Sequence, residues 1–123
     1  MNVIEILTNH SEEHGEGIDA VRVKDLEARL DIKLPNDFRE YLLKLNYAEI
    51  FNDPIYGIHG KDKMLDLYTQ NKYKEHFNHG FLAIFNNDLD GTVFLRPDTG
   101  AIYLGFSEPA EKSFTDYVHR ALN

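Results

Sequence analysis

The stretch that most narrows the possible folds is LPNDFREYLLKLN, residues 34–46. Pro35 suits the first position of a helix, where its missing N–H costs no hydrogen bond. Phe38, Tyr41, Leu42 and Leu45 then recur at i, i+3, i+4 and i+7, which is one apolar face of an α-helix. Asp37 falls in the first turn, where a carboxylate favours the positive end of the helix dipole. A preceding helix is predicted over about 22–31, with Val23, Leu26 and Leu30 on one face. Ile32 and Leu34 carry the apolar stripe across a short joint. Two antiparallel helices with a tight connection follow.

Downstream the pattern changes to short apolar runs punctuated by turns. Phe81–Phe85 reads as a strand, 86–91 as a turn and Thr92–Arg96 as a second strand. Pro97, Asp98, Thr99 and Gly100 make a tight hairpin, with Gly100 suited to a left-handed backbone. Ala101–Phe106 is the returning strand. Ser113 then caps a last helix, whose apolar face is Phe114, Tyr117, Val118, Ala121 and Leu122. Between the two halves, residues 47–62 look irregular, with a strand at Ile55–His59. Met64, Leu67 and Tyr68 suggest a short helix. Residues 1–8 fit either a short strand or a frayed helix, and 9–19 read as a polar loop broken by Gly15 and Gly17. Helices grouped against three antiparallel strands make an α+β domain, a mostly antiparallel sheet packed on N-terminal helices and a C-terminal helix.

The chain has 123 residues, the size of one domain, and can bury about two-thirds of its unfolded surface. It has no cysteine, so disulfides, thiolate nucleophiles and Cys-based zinc sites are excluded. Against 21 acidic residues stand 13 Lys and Arg, a net charge of −8. That balance argues against nucleic acid and anionic membranes, which attract positive surfaces, and suits a basic protein partner. The N-terminus lacks the basic and apolar regions of a signal peptide, and no run approaches the length of a bilayer span, so a cytoplasmic location is expected.

Two motifs invite a metal. His10, Glu13 and His14 spell H-x-x-E-H, the zinc signature of inverted metalloproteases. Two histidines four apart share a metal only when a helix stacks them on one face. Here Gly15 and Gly17 follow, and no apolar stripe anchors such a helix, so a solvated acidic loop is expected. Asn86, Asp88, Asp90 and Gly91 resemble the start of a calcium loop, but Pro97 stands where a bidentate Glu is required. A hairpin turn is expected there. His59, His76, His79 and His119 fall into no catalytic pattern. No serine sits in G-x-S-x-G, and no phosphate-binding glycine loop or other cofactor signature is present.

Three segments together resemble the SUKH superfamily. DLEARLDIKLPNDFREYLLKLN matches its N-terminal signature through Leu26, Glu27, Leu34, Pro35, Asp37, Phe38, Leu42 and Asn46. FLAIFNNDLDGTVFLRPDTGAIYLG resembles its strand–turn–strand and T-G hairpin, through Leu82, Ile84, Asp90, Gly91, Thr99, Gly100 and Tyr103. SFTDYVHRAL is similar to its closing helix, through Ser113, Phe114 and Tyr117. Asn46 is followed by Tyr47 where the family usually has Gly, and Gly91 by Thr92 where Asp is common. Residues 1–21 form an N-terminal extension outside the match within a single SUKH-like domain.

The resemblance implies that the sheet is curved and that the chain is a bacterial immunity protein, which binds and neutralises a cognate toxin, often a nuclease domain of a polymorphic or contact-dependent system. The alternatives are a non-catalytic regulatory adaptor of the same fold or a small metal-dependent hydrolase. The family brings no catalytic set, no cofactor and no metal. A protein-binding surface favours exposed acids and tyrosines in the sheet-side loops. Asp53, Tyr56, Asp62, Asp88, Asp90, Asp98, Tyr103, Glu108 and Glu111 are the expected partner-binding residues.

Overall fold

The structure, a computed structural model, describes residues 2–122. Its first helix is α1, Val3–His10, started by Asn2, whose side-chain oxygen accepts the Glu5 N–H at 2.9 Å. Of the two readings open for residues 1–8, the helix is the one formed. Val3, Ile6 and Leu7 recur on one side of it and are buried.

Helices α2, Ala20–Leu30, and α3, Asn36–Lys44, are the predicted antiparallel pair. Their joint is bonded through one carboxylate. Glu27 Oε2 accepts the Leu34 N–H and Arg39 Nη2, each at 2.7 Å, and Arg39 also donates to the Leu34 carbonyl. Asp37 joins two helix starts. Its Oδ1 accepts the Phe38 N–H, and its Oδ2 accepts the N–H and hydroxyl of Thr115, both at 2.9 Å, in the first turn of α6, Phe114–Leu122. Ser113 caps α6 as predicted, accepting the Asp116 N–H at 3.0 Å. Phe38, Tyr41 and Phe114 then meet tilted or edge-on at 5.0–5.7 Å, the centre of the core.

The expected α+β fold is completed by antiparallel strands, arranged as two three-stranded sheets. The first comprises β1, Glu13–His14, β2, Ala48–Ile50, and β3, Asp53–Pro54. The second comprises β4, Leu82–Asn87, β5, Gly91–Leu95, and β6, Ile102–Tyr103. An antiparallel bridge between Ile55 and Phe85 joins them. The expected strand at Ile55–His59 reduces to such bridges. The chain instead pairs earlier, at Ala48–Pro54, through a two-residue hairpin. Phe51 and Asn52 both hold positive φ, 56° and 64°, the pair of left-handed residues a type I′ turn needs.

Residues 9–19 are not the free loop expected. Glu13 and His14 pair with Glu49 and Ala48, and the Gly15, Gly17 and Ile18 N–H groups bond the carbonyls of Tyr47, Leu45 and Leu42. The segment thereby caps the carbonyl end of α3. Gly17 is required there: its φ is +92°, and a Cβ would stand 2.1 Å from the Leu43 oxygen. Two short helices occupy the middle, α4, Leu67–Asn71, near the expected place, and α5, Glu75–Asn78, which was not anticipated. Asn71 is fully buried. It accepts the Ala83 N–H at 2.7 Å and donates to the Ala83 carbonyl at 2.9 Å, pinning α4 to β4. Among the described residues no helix is long and apolar enough to cross a membrane.

Candidate partner-binding surface

The two motifs that suggested metals separate in space. His10 ends a helix, while Glu13 and His14 lie in an exposed strand, so no helix stacks the histidines. In the β4–β5 turn, Asn87 Oδ1 accepts the Leu89 and Asp90 N–H groups, and Asp90 turns away to accept the Tyr117 hydroxyl at 2.7 Å. Among the described residues no three His, Asp or Glu side chains gather where a metal ion could be held.

The second sheet is apolar on both faces. Leu82, Ile84, Val93, Leu95 and Ile102 point into the main core. A register shift between Ala83 and Phe85 buries Phe85 in that core as well, beside Ile84. On the other face Phe81, Ala83 and Phe94 form a second, smaller cluster, with Tyr56 and Tyr103 packed against it. Beyond Tyr103 the expected strand ends. The outer edge of Ile102 is taken by Ala110 and Glu111, and the chain peels away with Phe106 61 % exposed. The Phe106 ring still touches Phe81 and Phe94, each at 5.0 Å between centroids. Beside it Glu75, His76, His79, Phe81 and Phe106 line a groove of about 530 Å³. His76 Nε2 meets Asn71 Oδ1 at 2.9 Å, and burial lowers its pKa, with Lys74 adding to the effect.

Three of the nine expected residues, Tyr56, Asp98 and Tyr103, gather around this aromatic face. Tyr103 meets Phe81 edge-on at 5.2 Å. Tyr56 is half-buried, and burial, then the charge of Asp53, raises its phenol pKa. Asp98 accepts two bonds from Arg96, at 3.1 and 3.0 Å, and the guanidinium lies 5.0 Å over the Phe81 ring. Arg96 holds the Asp98 carboxyl below its usual range.

The other six are dispersed, Asp53 among them in β3 of the first sheet. Asp62 is exposed near the first sheet, where it acts with Glu49 and Glu13 on Tyr47. The Tyr47 hydroxyl donates to Glu49, and its pKa is pushed up to about 12, first by that bond. Glu13 and Glu49 stand directly opposite each other across the β1–β2 pair. Asp88 is exposed in its turn, whereas Asp90 is engaged with Tyr117, whose pKa is raised by burial and then by Asp90. Glu108 is exposed, and Glu111 pairs with Arg120 at 2.9 Å.

The sequence reading missed Glu75, His76, Phe81, Phe94 and Phe106. A usable signal was the unbroken run FLAIF: helices covering one side of a sheet leave no polar alternation to explain there, so both faces of that strand are apolar.

The residues of the joint, the hairpin and the last helix therefore hold the scaffold, in the order LE…LPxDF, acidic-Gly turn, SF. The sequence matches the SMI1/KNR4 family (SUKH-1) over residues 17–120. The chain belongs to that family. No curated protein matches it. Glu27, Asp37 and Asn46 each close a hydrogen bond between elements, and Ser113 caps α6. Asn46, left-handed at φ 55°, accepts the Ile58 N–H and donates to the Ile58 carbonyl. The α1 helix and β1 lie before the matched span.

Proposed function

We propose that this SUKH-1 protein is a cytoplasmic immunity protein that neutralises a cognate toxin, a nuclease domain of a polymorphic or contact-dependent system, by direct binding and without catalysis of its own. The observation that carries the reading is the family match across most of the chain. The charge of −8 supports it, because a nuclease cleft built for phosphates is basic. The grouping of Glu13, Glu49 and Asp62 around Tyr47 adds a local negative field on the first sheet. Such charge accelerates encounter, and buried aromatic contacts supply lifetime.

The test is co-expression with the C-terminal toxin domain encoded beside this gene, scored as growth. Protection, with a stable complex on gel filtration, is the expected result. Full toxicity in the presence of soluble protein overturns the reading. A gene neighbourhood of cell-wall or signalling functions, together with no protection, favours the regulatory adaptor instead.

A further inference from the structure

The acidic first sheet accounts for attraction but leaves the aromatic groove beside α5 without a role. We propose that this groove receives an arginine or lysine side chain of the protein partner, held by the exposed ring of Phe106 and by the carboxylate of Glu75, with Phe81 at the floor of the groove. This rests on the reading of the chain as a protein-binding domain and names the chemistry of its anchor. Phe81, Phe94 and Phe106 contact one another at 5.0–5.9 Å; Arg96 already lies over the buried Phe81, which leaves Phe106, 61 % exposed, as the open ring face. Cations are drawn to such faces by the ring quadrupole.

The charge around the groove has the matching sign. The Glu75 side chain is 92 % exposed, and His79 Nε2 lies 4.0 Å from its carboxylate. Arg96 is neutralised by its two bonds to Asp98. His76 adds no repulsion at neutral pH, since its pKa is lowered. Lys74, next to Glu75, is the remaining cation near α5 and does not line the groove. About 530 Å³ holds a long side chain with some flanking backbone. A second copy of this chain fits less well, because each copy carries −8.

The test titrates isotope-labelled protein with acetyl-Gly-Arg-Gly amide and with its citrulline counterpart, which keeps the shape and lacks the charge. Shifts centred on Glu75, Phe81, Phe94 and Phe106 are expected, with binding of the citrulline peptide weaker by about tenfold. Glu75→Gln and Phe106→Ala each alter an exposed side chain, and each should weaken the arginine peptide by roughly three- to tenfold with the spectrum otherwise unchanged. Equal binding of both peptides, shifts centred on Tyr47 and Glu49, or no shifts at all would overturn the proposal. So would a dimer in sedimentation that Phe106→Ala disperses. Peptide binding at the groove without protection from the toxin would sink the immunity reading and leave the groove standing. Protection that survives with a groove inert to arginine would do the reverse.

Discussion

Asn71 offers Ala83 an acceptor and a donor at once, the two bonds a neighbouring strand would supply, and Asn46 does the same for Ile58. Both are buried, so removing either amide would strand backbone groups away from water, at a cost of roughly 1–3 kcal/mol per group. His76 completes the first of these sites through Asn71 Oδ1. Its folded-state pKa lies below the ordinary 6.5, so the unfolded chain takes up a proton that the folded chain resists. The stability in question is present above pH 6.5 and is lost as pH falls through 6.5 toward the depressed value. His76→Gln keeps a donor for Asn71 and removes the titration. Urea unfolding at about pH 7.5 and about pH 5.5 should show a smaller loss of stability in the variant than in the parent. Equal losses would assign the acid sensitivity elsewhere.

Among the elements, the α2–α3 pair, the 97–100 hairpin and α6 were legible in the sequence, because each carries a strong local signal: helical periodicity, a Pro…Gly turn, a serine cap. Three elements were not. The β2–β3 hairpin turns on Phe51-Asn52, and a bulky residue in the left-handed region carries no turn signature; its ring, half-buried against the core, offsets the backbone cost. The β1 strand hides among glycines that read as breakers, whose purpose is the close approach to α3. The groove hides because it joins α5, β4 and the segment after β6, which are far apart in sequence. Asp37 shows the same limit from the other side. Its place at a helix start was readable, but its bonds to Thr115, 78 residues away, were not. Asp37→Ala should therefore cost more than an ordinary cap, about 2–4 kcal/mol, since it loosens α3 and α6 together. Guanidinium unfolding measures it, and a loss no larger than about 1 kcal/mol would mean the Thr115 bonds add nothing.

At the scale of the whole molecule, charge and aromatic surface are divided between the two sheets. The first sheet bears Glu13 opposite Glu49, an arrangement that disfavours the fold slightly. Its benefit is long-range. If the proposed immunity role holds, association with the toxin domain slows several-fold between about 50 mM and about 500 mM NaCl, while dissociation barely changes. Stopped-flow mixing gives both rates, and a salt-independent association would remove charge from the mechanism. Asp88→Lys is a clean reversal for this purpose, whereas Asp90→Lys would also break the Tyr117 bond. Residues 2–16 precede the span by which the family is recognised, yet they supply Val3, Ile6 and Leu7 to the interior and the β1 strand that pairs with β2. A shortened gene beginning at the recognised span would thus encode every diagnostic position and still yield a protein with a greasy wound on one flank, prone to stick to its neighbours before it ever met a partner.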